Sequence, residues 1–228
     1  MRAMINQNAY YTRQKEFFNG GIVGNSRPLS TYMRIFQISH RDIKKLLNNK
    51  KLLLVGGGHS QIQRAFDFAN IKCDVTNADP YINDARSARS VINCDFNDTR
   101  FENEFDEIWA LYSLPLYSPD VKHAAQFYRR AAVALKPGGT LRVGGLPWHV
   151  NGMLLAPVHF PRDSINFEML DLFYNSDTFT SKYTTAPVAM YTDDLKLTRE
   201  EDRHWEKWTA PKNAAIKQAL NEHIKKLR

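Results

Sequence analysis

The chain has 228 residues, 43% of them hydrophobic and 12% aromatic, and carries a net charge of +7. That make-up excludes a disordered chain and fits one domain with a substantial core. No apolar run is long enough to cross a bilayer, the opening "MRAMINQNAYYTRQKEFF" lacks a secretory h-region and cleavage site, and two cysteines are too few for a disulfide scaffold or a zinc site.

Residues 1–51 hold ten of the 31 Lys and Arg but only Glu16 and Asp42 among the 24 acids. The whole positive excess therefore lies in the N-terminal segment. It reads either as a basic cap that attracts an anionic partner or as the solvated face of amphipathic helices. The first such helix is predicted over 31–49, where Met33, Ile35, Phe36, Ile43, Leu46 and Leu47 recur near helical spacing. "KLLLV" at 51–55 is a continuous apolar run, as expected of a strand buried on both faces. Three glycines follow, then His59 and Ser60. Ser60 and Gln63 have the spacing of a capping box for a helix bearing Ile62, Ala65, Phe66 and Ala69.

Further strands are predicted at 72–78, 90–94 and 107–114. Ser118 and Pro119 signal a helix start, "KPGG" at 136–139 a stop and turn, and "TLRV" at 140–143 a fifth strand. Cys73 and Cys94 sit in strand-like segments and read as buried thiols in a reducing cytosol. Downstream, 164–175 reads as a helix, 186–192 as a strand and 197–208 as a charged helix. Residues 211–228 read as a final helix with Ile216, Leu220, Ile224 and Leu227 on one face. The alternation implies a parallel sheet with helices on both faces. The amphipathic terminal helices could support a homodimer, and no close His/Cys/Asp cluster suggests a metal.

Glycines directly after a first buried strand, opening a helix, suit a nucleotide-like ligand held at the carboxyl edge of the sheet. "GGGHSQ" lacks the third glycine of the dinucleotide fingerprint. Asp79, at the end of the second strand, would serve a ribose in either NAD or S-adenosylmethionine. The ordered series "LLLVGGG", "TNADP", "NCDF", "FDEIWALYSLP" and "LKPGGTL" resembles class I S-adenosylmethionine-dependent methyltransferases over residues 51–145.

The resemblance implies an α/β, Rossmann-like, doubly wound and mostly parallel sheet of about seven strands. It divides the single domain into a basic helical extension (1–50), a cofactor-binding core (51–145) and substrate-side and C-terminal elements (146–228). It assigns Gly56, Gly57 and Gly58 to the methionine end of S-adenosyl-L-methionine, Asp79 to the ribose diol, Asp95 to the adenine amino group, with Phe96 on the ring. Leu111, Tyr112 and Ser113 would face the sulfonium and the acceptor. His149, after the fifth strand, is the first candidate general base, followed by Tyr112 and His159. Tyr11 and Arg13 would line a substrate lid. His40, His123, His204 and His223 read as surface or packing residues.

Two positions depart from the family pattern: Leu54 stands where an acid is common, and Ser60 replaces a glycine. "YSLP" differs from the Asn/Asp-Pro-Pro-Tyr pattern of many base-amino methyltransferases, which argues against that acceptor. No paired aspartates near 111–117 suit an aminopropyl transfer to a polyamine. The expected activity is methyl transfer to a small, anionic acceptor in the cytoplasm, away from membranes. The rivals are an RNA methyltransferase or RNA-binding protein, and a catalytically silent interaction protein with the same fold.

Overall fold

The computed structural model describes residues 27–59, 61–80, 88–115, 118, 121–147, 180–192 and 195–226. Two short helices come first, α1 (Leu29–Ile35) and α2 (His40–Leu47), then β1 (Lys50–Val55) and α3 (Ile62–Phe68). They are followed by β2 (Cys73–Ala78), β3 (Ser90–Ile92), a 3-10 turn (Phe96–Asp98), β4 (Phe105–Leu111) and α4 (Val121–Ala134). The chain ends with β5 (Leu135–Pro147), β6 (Thr180–Thr192), β7 (Leu195–Thr209) and α5 (Ala214–Lys226).

The strands form one seven-stranded sheet in the order β3-β2-β1-β4-β5-β7-β6. β1 to β5 run parallel, and β7 and β6 add antiparallel. Strand alternation explains why β1 is a continuous apolar run. Leu53 and Val55 face a cluster that includes Phe127 of α4 and Ile224 of α5. Leu52 and Leu54 face a second one with Tyr32, Ile35, Leu47 and Phe66 of α1, α2 and α3. Both faces are thus dry, and a polar residue on either would lack water.

Several local expectations are corrected. The helix expected over 31–49 is two helices. Gln37 takes a left-handed φ of 53°, and Ile38 N–H reaches back to Met33 O at 2.8 Å, the bond that closes a Schellman motif. Ser39 then starts α2 by accepting from Asp42 N–H. Gln63 does not complete a capping box. It spans to β2, donating to Cys73 O and accepting from Val75 N–H. "KPGG" does follow a helix stop, at Ala134, and it turns within the span of β5: Gly138 takes φ 74°, and residues 136–139 stand against Asp106 alone where the register with β4 shifts between Phe105 and Glu107.

The charged helix expected at 197–208 is strand β7. Its ladder to β5 overrides the helix propensity of its Glu and Arg residues, and Trp205 and Trp208 enter opposite core clusters. The last helix begins after Asn213, whose side chain accepts from Ala215 and Ile216 N–H. Leu220 and Ile224 of the expected apolar face pack on the core, but the first turn departs from it. Ile216 is exposed, while Lys217 is buried and donates to the side-chain oxygens of Asn103 and Asn221. The strand expected at 186–192 lies within β6. The helix expected at 164–175 lies outside the described residues.

Both cysteines are free thiols; Cys73 is buried, and burial followed by nearby carboxylates pushes it up to about 12. Glu206 of β7 is buried against the Tyr128 hydroxyl, and burial pushes its carboxyl up to about 8 from 4.5. Between those values the folded chain holds a proton that the unfolded chain releases, so stability falls as pH rises through this window. Glu206→Gln is expected to remove that slope and to stabilise the fold near neutrality by on the order of 2 kcal/mol. Thermal unfolding between about pH 5 and 8 checks it; parallel profiles for the two proteins would contradict it.

Candidate functional site

In a parallel sheet all strands present their carboxyl ends along one edge, where connecting loops meet. Here β1 leads into Gly56–Gly58, β2 into Asp79, β3 into Asp95 and β4 into Tyr112 and Ser113. The glycine turn is folded onto the end of β2. Gly56 N–H donates to Ala78 O at 2.8 Å, Gly57 N–H to Asn77 Oδ1 at 3.0 Å and Gly58 N–H to Asp79 Oδ2 at 2.9 Å. Asn77 returns a bond from Nδ2 to Gly58 O. Three successive amides are thus received by three successive residues.

The missing side chains have local causes. Gly56 has φ 61°, and a Cβ there would stand 2.5 Å from Ser113 Cβ. A Cβ on Gly57 would stand 2.6 Å from Asn77 Oδ1. Gly58 has φ 58°, a left-handed conformation that glycine adopts without the Cβ penalty. The close neighbours at Gly56 and Gly57 are therefore the chain's own Ser113 and Asn77.

Ser113 ties the ends of β1 and β4 by donating to Val55 O at 2.6 Å. Tyr112 takes φ 49° and donates its N–H to Gly144 O. Arg27 spans the same two ends. Its Nη1 donates to Gly56 O at 2.8 Å and its Nη2 to Tyr112 O at 2.9 Å, with the guanidinium 5.8 Å from the Tyr112 ring centre. A planar, five-donor cation is suited to bridging two carbonyls.

Asp79 is 5% exposed with its carboxylate against the turn. Asp95 caps the 3-10 turn, accepting from Asn97 N–H at Oδ1, while its Oδ2 lies 3.2 Å from His123 Nε2. Burial raises the Asp95 carboxyl, but the His123 and Asn97 bonds and the His123 charge outweigh it, so the group sits below its ordinary value. His123 Nδ1 lies 3.2 Å from Ser118 Oγ. His123 lies in α4 with its side chain 25% exposed, and it joins Asp95 to Ser118.

Phe96 is buried in the core edge-on to Phe127, so its ring serves packing rather than an adenine face. Leu111 is buried within the second core cluster, so the end of β4 meets the edge through Tyr112 and Ser113. Tyr11, Arg13, His149 and His159 lie outside the described residues. The basic residues Lys50, Lys51, Lys72 and Lys136 sit where β1, β2 and β5 begin, at the edge opposite the glycine turn. Among the described residues, Arg27 is a base that the structure brings to the turn itself.

Sequence reasoning missed Arg27, Asn77 and His123. Asn77 carries a signal: a polar residue on a strand position that should be buried and apolar needs a partner. His123 carries none, because Asp95 and Ser118 are brought to it by tertiary structure. Among the described residues no group of three His, Cys, Asp or Glu could hold a metal, and no helix is long and apolar enough to span a membrane.

No family model matches the chain, and no curated protein sequence does. Solved structures do. An S-adenosylmethionine-dependent methyltransferase of Methanosarcina mazei matches with a TM-score of 0.50 and 15% identity, over 77% of this chain and 99% of that one. An S-adenosylmethionine-dependent O-methyltransferase of Thermotoga maritima matches at 0.49 and 10%, over 87% and 71%. At 15% identity the likeness to the Methanosarcina mazei structure shows the fold alone: this is the Rossmann-like fold of class I methyltransferases, with a mostly parallel sheet.

Proposed function

We propose that the protein is an S-adenosylmethionine-dependent methyltransferase acting on a small, anionic acceptor. The observation that carries the reading is the junction of the glycine turn with the end of β2. There a buried carboxylate, Asp79, is held against Gly58 N–H at the carboxyl edge of the sheet. The donor set suits the cofactor. Asp79 would take the ribose diol and Asp95 the adenine amino group, since an ionised carboxylate accepts several hydrogen bonds at once. Gly56, Gly57 and Gly58 would set the shape of the turn at the methionine end.

The cofactor supplies a methyl group on a sulfonium, and the chain's part is to position the acceptor against it. Ser113 and Tyr112 stand at the end of β4 for that task. Arg27 gives the same edge a positive charge, which favours a carboxylate or phosphate on the acceptor. His149, two positions beyond β5, would be the general base where the nucleophile carries a proton, with His159, Tyr11 and Arg13 on the acceptor side.

Incubation with methyl-labelled S-adenosylmethionine and a fractionated small-molecule extract tests the reading. Label is expected in a small anionic product. Label only in RNA would move the assignment to the RNA-directed alternative, and cofactor binding without transfer to any acceptor would support the silent protein. Asp79→Ala is expected to weaken S-adenosylhomocysteine binding about 10- to 100-fold, the value of hydrogen bonds to a charged group. Titration of the purified variant checks it, and unchanged affinity would withdraw the ribose assignment.

A further inference from the structure

Asp95 is held from two sides by groups the fold brings together. Its Oδ1 accepts from Asn97 N–H at 2.8 Å, which fixes the carboxylate plane on the 3-10 turn. Its Oδ2 lies 3.2 Å from His123 Nε2, at the start of α4. His123 is fixed in turn by Ser118, whose hydroxyl is 3.2 Å from Nδ1 and fully buried. Asn97 Nδ2 also donates to His123 O at 2.9 Å, binding the turn to the same helix end.

The hydrogen-bond directions follow from the chemistry. An ionised carboxylate only accepts, so Nε2 carries a proton toward Asp95. In the neutral ring Nδ1 then accepts from the Ser118 hydroxyl. The order Asp–His–Ser resembles a hydrolytic triad, but a serine with no exposed surface cannot attack a substrate. The arrangement instead orients and keeps ionised a carboxylate that is about one-third exposed, with a side-chain exposure of 31%.

We propose that His123, anchored by Ser118, is a positioning residue that holds Asp95 as a pure acceptor and thereby makes the site select an amino-bearing purine, adenosyl over inosyl. The proposal rests on the methyltransferase reading and adds a specificity determinant to it. An aligned acceptor gains a hydrogen bond from a 6-amino group and meets the lone pairs of a 6-oxo group with repulsion, so discrimination depends on how firmly the carboxylate is held.

Two measurements test it. In the ligand-free protein, long-range nitrogen–proton NMR of the imidazoles is expected to show His123 protonated at Nε2; a neutral ring protonated at Nδ1 overturns the proposal. In titrations with S-adenosylhomocysteine and its inosine counterpart, the unaltered protein is expected to prefer the adenosyl ligand by about tenfold or more. His123→Ala is expected to bring the two ligands within about threefold, mainly by weakening the adenosyl one. His123→Gln keeps a donor near Nε2 and is expected to restore most of the preference. It also serves where the alanine variant does not fold, because Gln in the Ser118→Ala background then loses the preference it shows alone. An unaltered preference in His123→Ala overturns the inference and leaves the function standing. Failure of the unaltered protein to bind either ligand overturns the function and the inference with it.

Discussion

Gly56→Ala is expected to destabilise the fold by about 2–5 kcal/mol and to abolish measurable binding of S-adenosylhomocysteine. Two costs add. A side chain at φ 61° pays about 1–2 kcal/mol for left-handed backbone. A Cβ placed 2.5 Å from Ser113 Cβ forces a shift of the β4 end, an overpacking that costs about 1–3 kcal/mol. The two costs can be separated. In a Ser113→Gly background the overlap is gone while the φ penalty remains, so the same substitution should cost about 1–3 kcal/mol less. Urea unfolding of the four proteins completes the cycle. Equal costs in both backgrounds would show that the turn and the β4 end do not touch as described.

Arg142→Met is expected to destabilise the fold by about 3–5 kcal/mol. Arg142 Nε donates to Glu107 Oε2 at 3.0 Å, and Trp109 Nε1 donates to the same oxygen at 2.9 Å. Both charged side chains are nearly inaccessible, at 8% and 5%. Burial pushes the Glu107 carboxyl up, and the Arg142 guanidinium and the indole N–H pull against that. Removing the cation leaves a buried carboxylate with too little compensation. Adding Glu107→Gln removes the stranded charge and should recover about half of the loss. A change within about 0.5 kcal/mol for Arg142→Met alone would contradict the buried pair, since that is the range of ordinary surface positions.

The core of the fold was legible because its strands obey a simple rule. A strand covered on both faces must be apolar throughout, and "KLLLV" reads that way without any partner in view. The segment 197–208 failed for the opposite reason. Its charges suggest a helix, while Trp205, Glu206 and Trp208 are placed by a ladder to β5 more than fifty residues upstream in the sequence. The break after Ile35 escaped because Gln37 adopts a left-handed φ that its identity does not announce.

The candidate site was legible as a set of loop positions, and their contacts were not. Three glycines after β1 mark the turn, and at Gly56 and Gly57 the nearest atoms to an added Cβ belong to Ser113 and Asn77. Asp79 and Asp95 were singled out from their places in the sequence, and they follow β2 and β3 in the structure. Their partners, Gly58 and His123, follow from tertiary geometry alone. Arg27 was one base among ten until the fold brought it to the ends of β1 and β4.

Calorimetric titration with S-adenosylmethionine, S-adenosylhomocysteine and NAD, on the unaltered protein, bears most directly on the central claim. Saturable binding of both adenosyl sulfur compounds, with NAD showing none, is the expected result. Preference for NAD, or heat from neither sulfur compound, would contradict it.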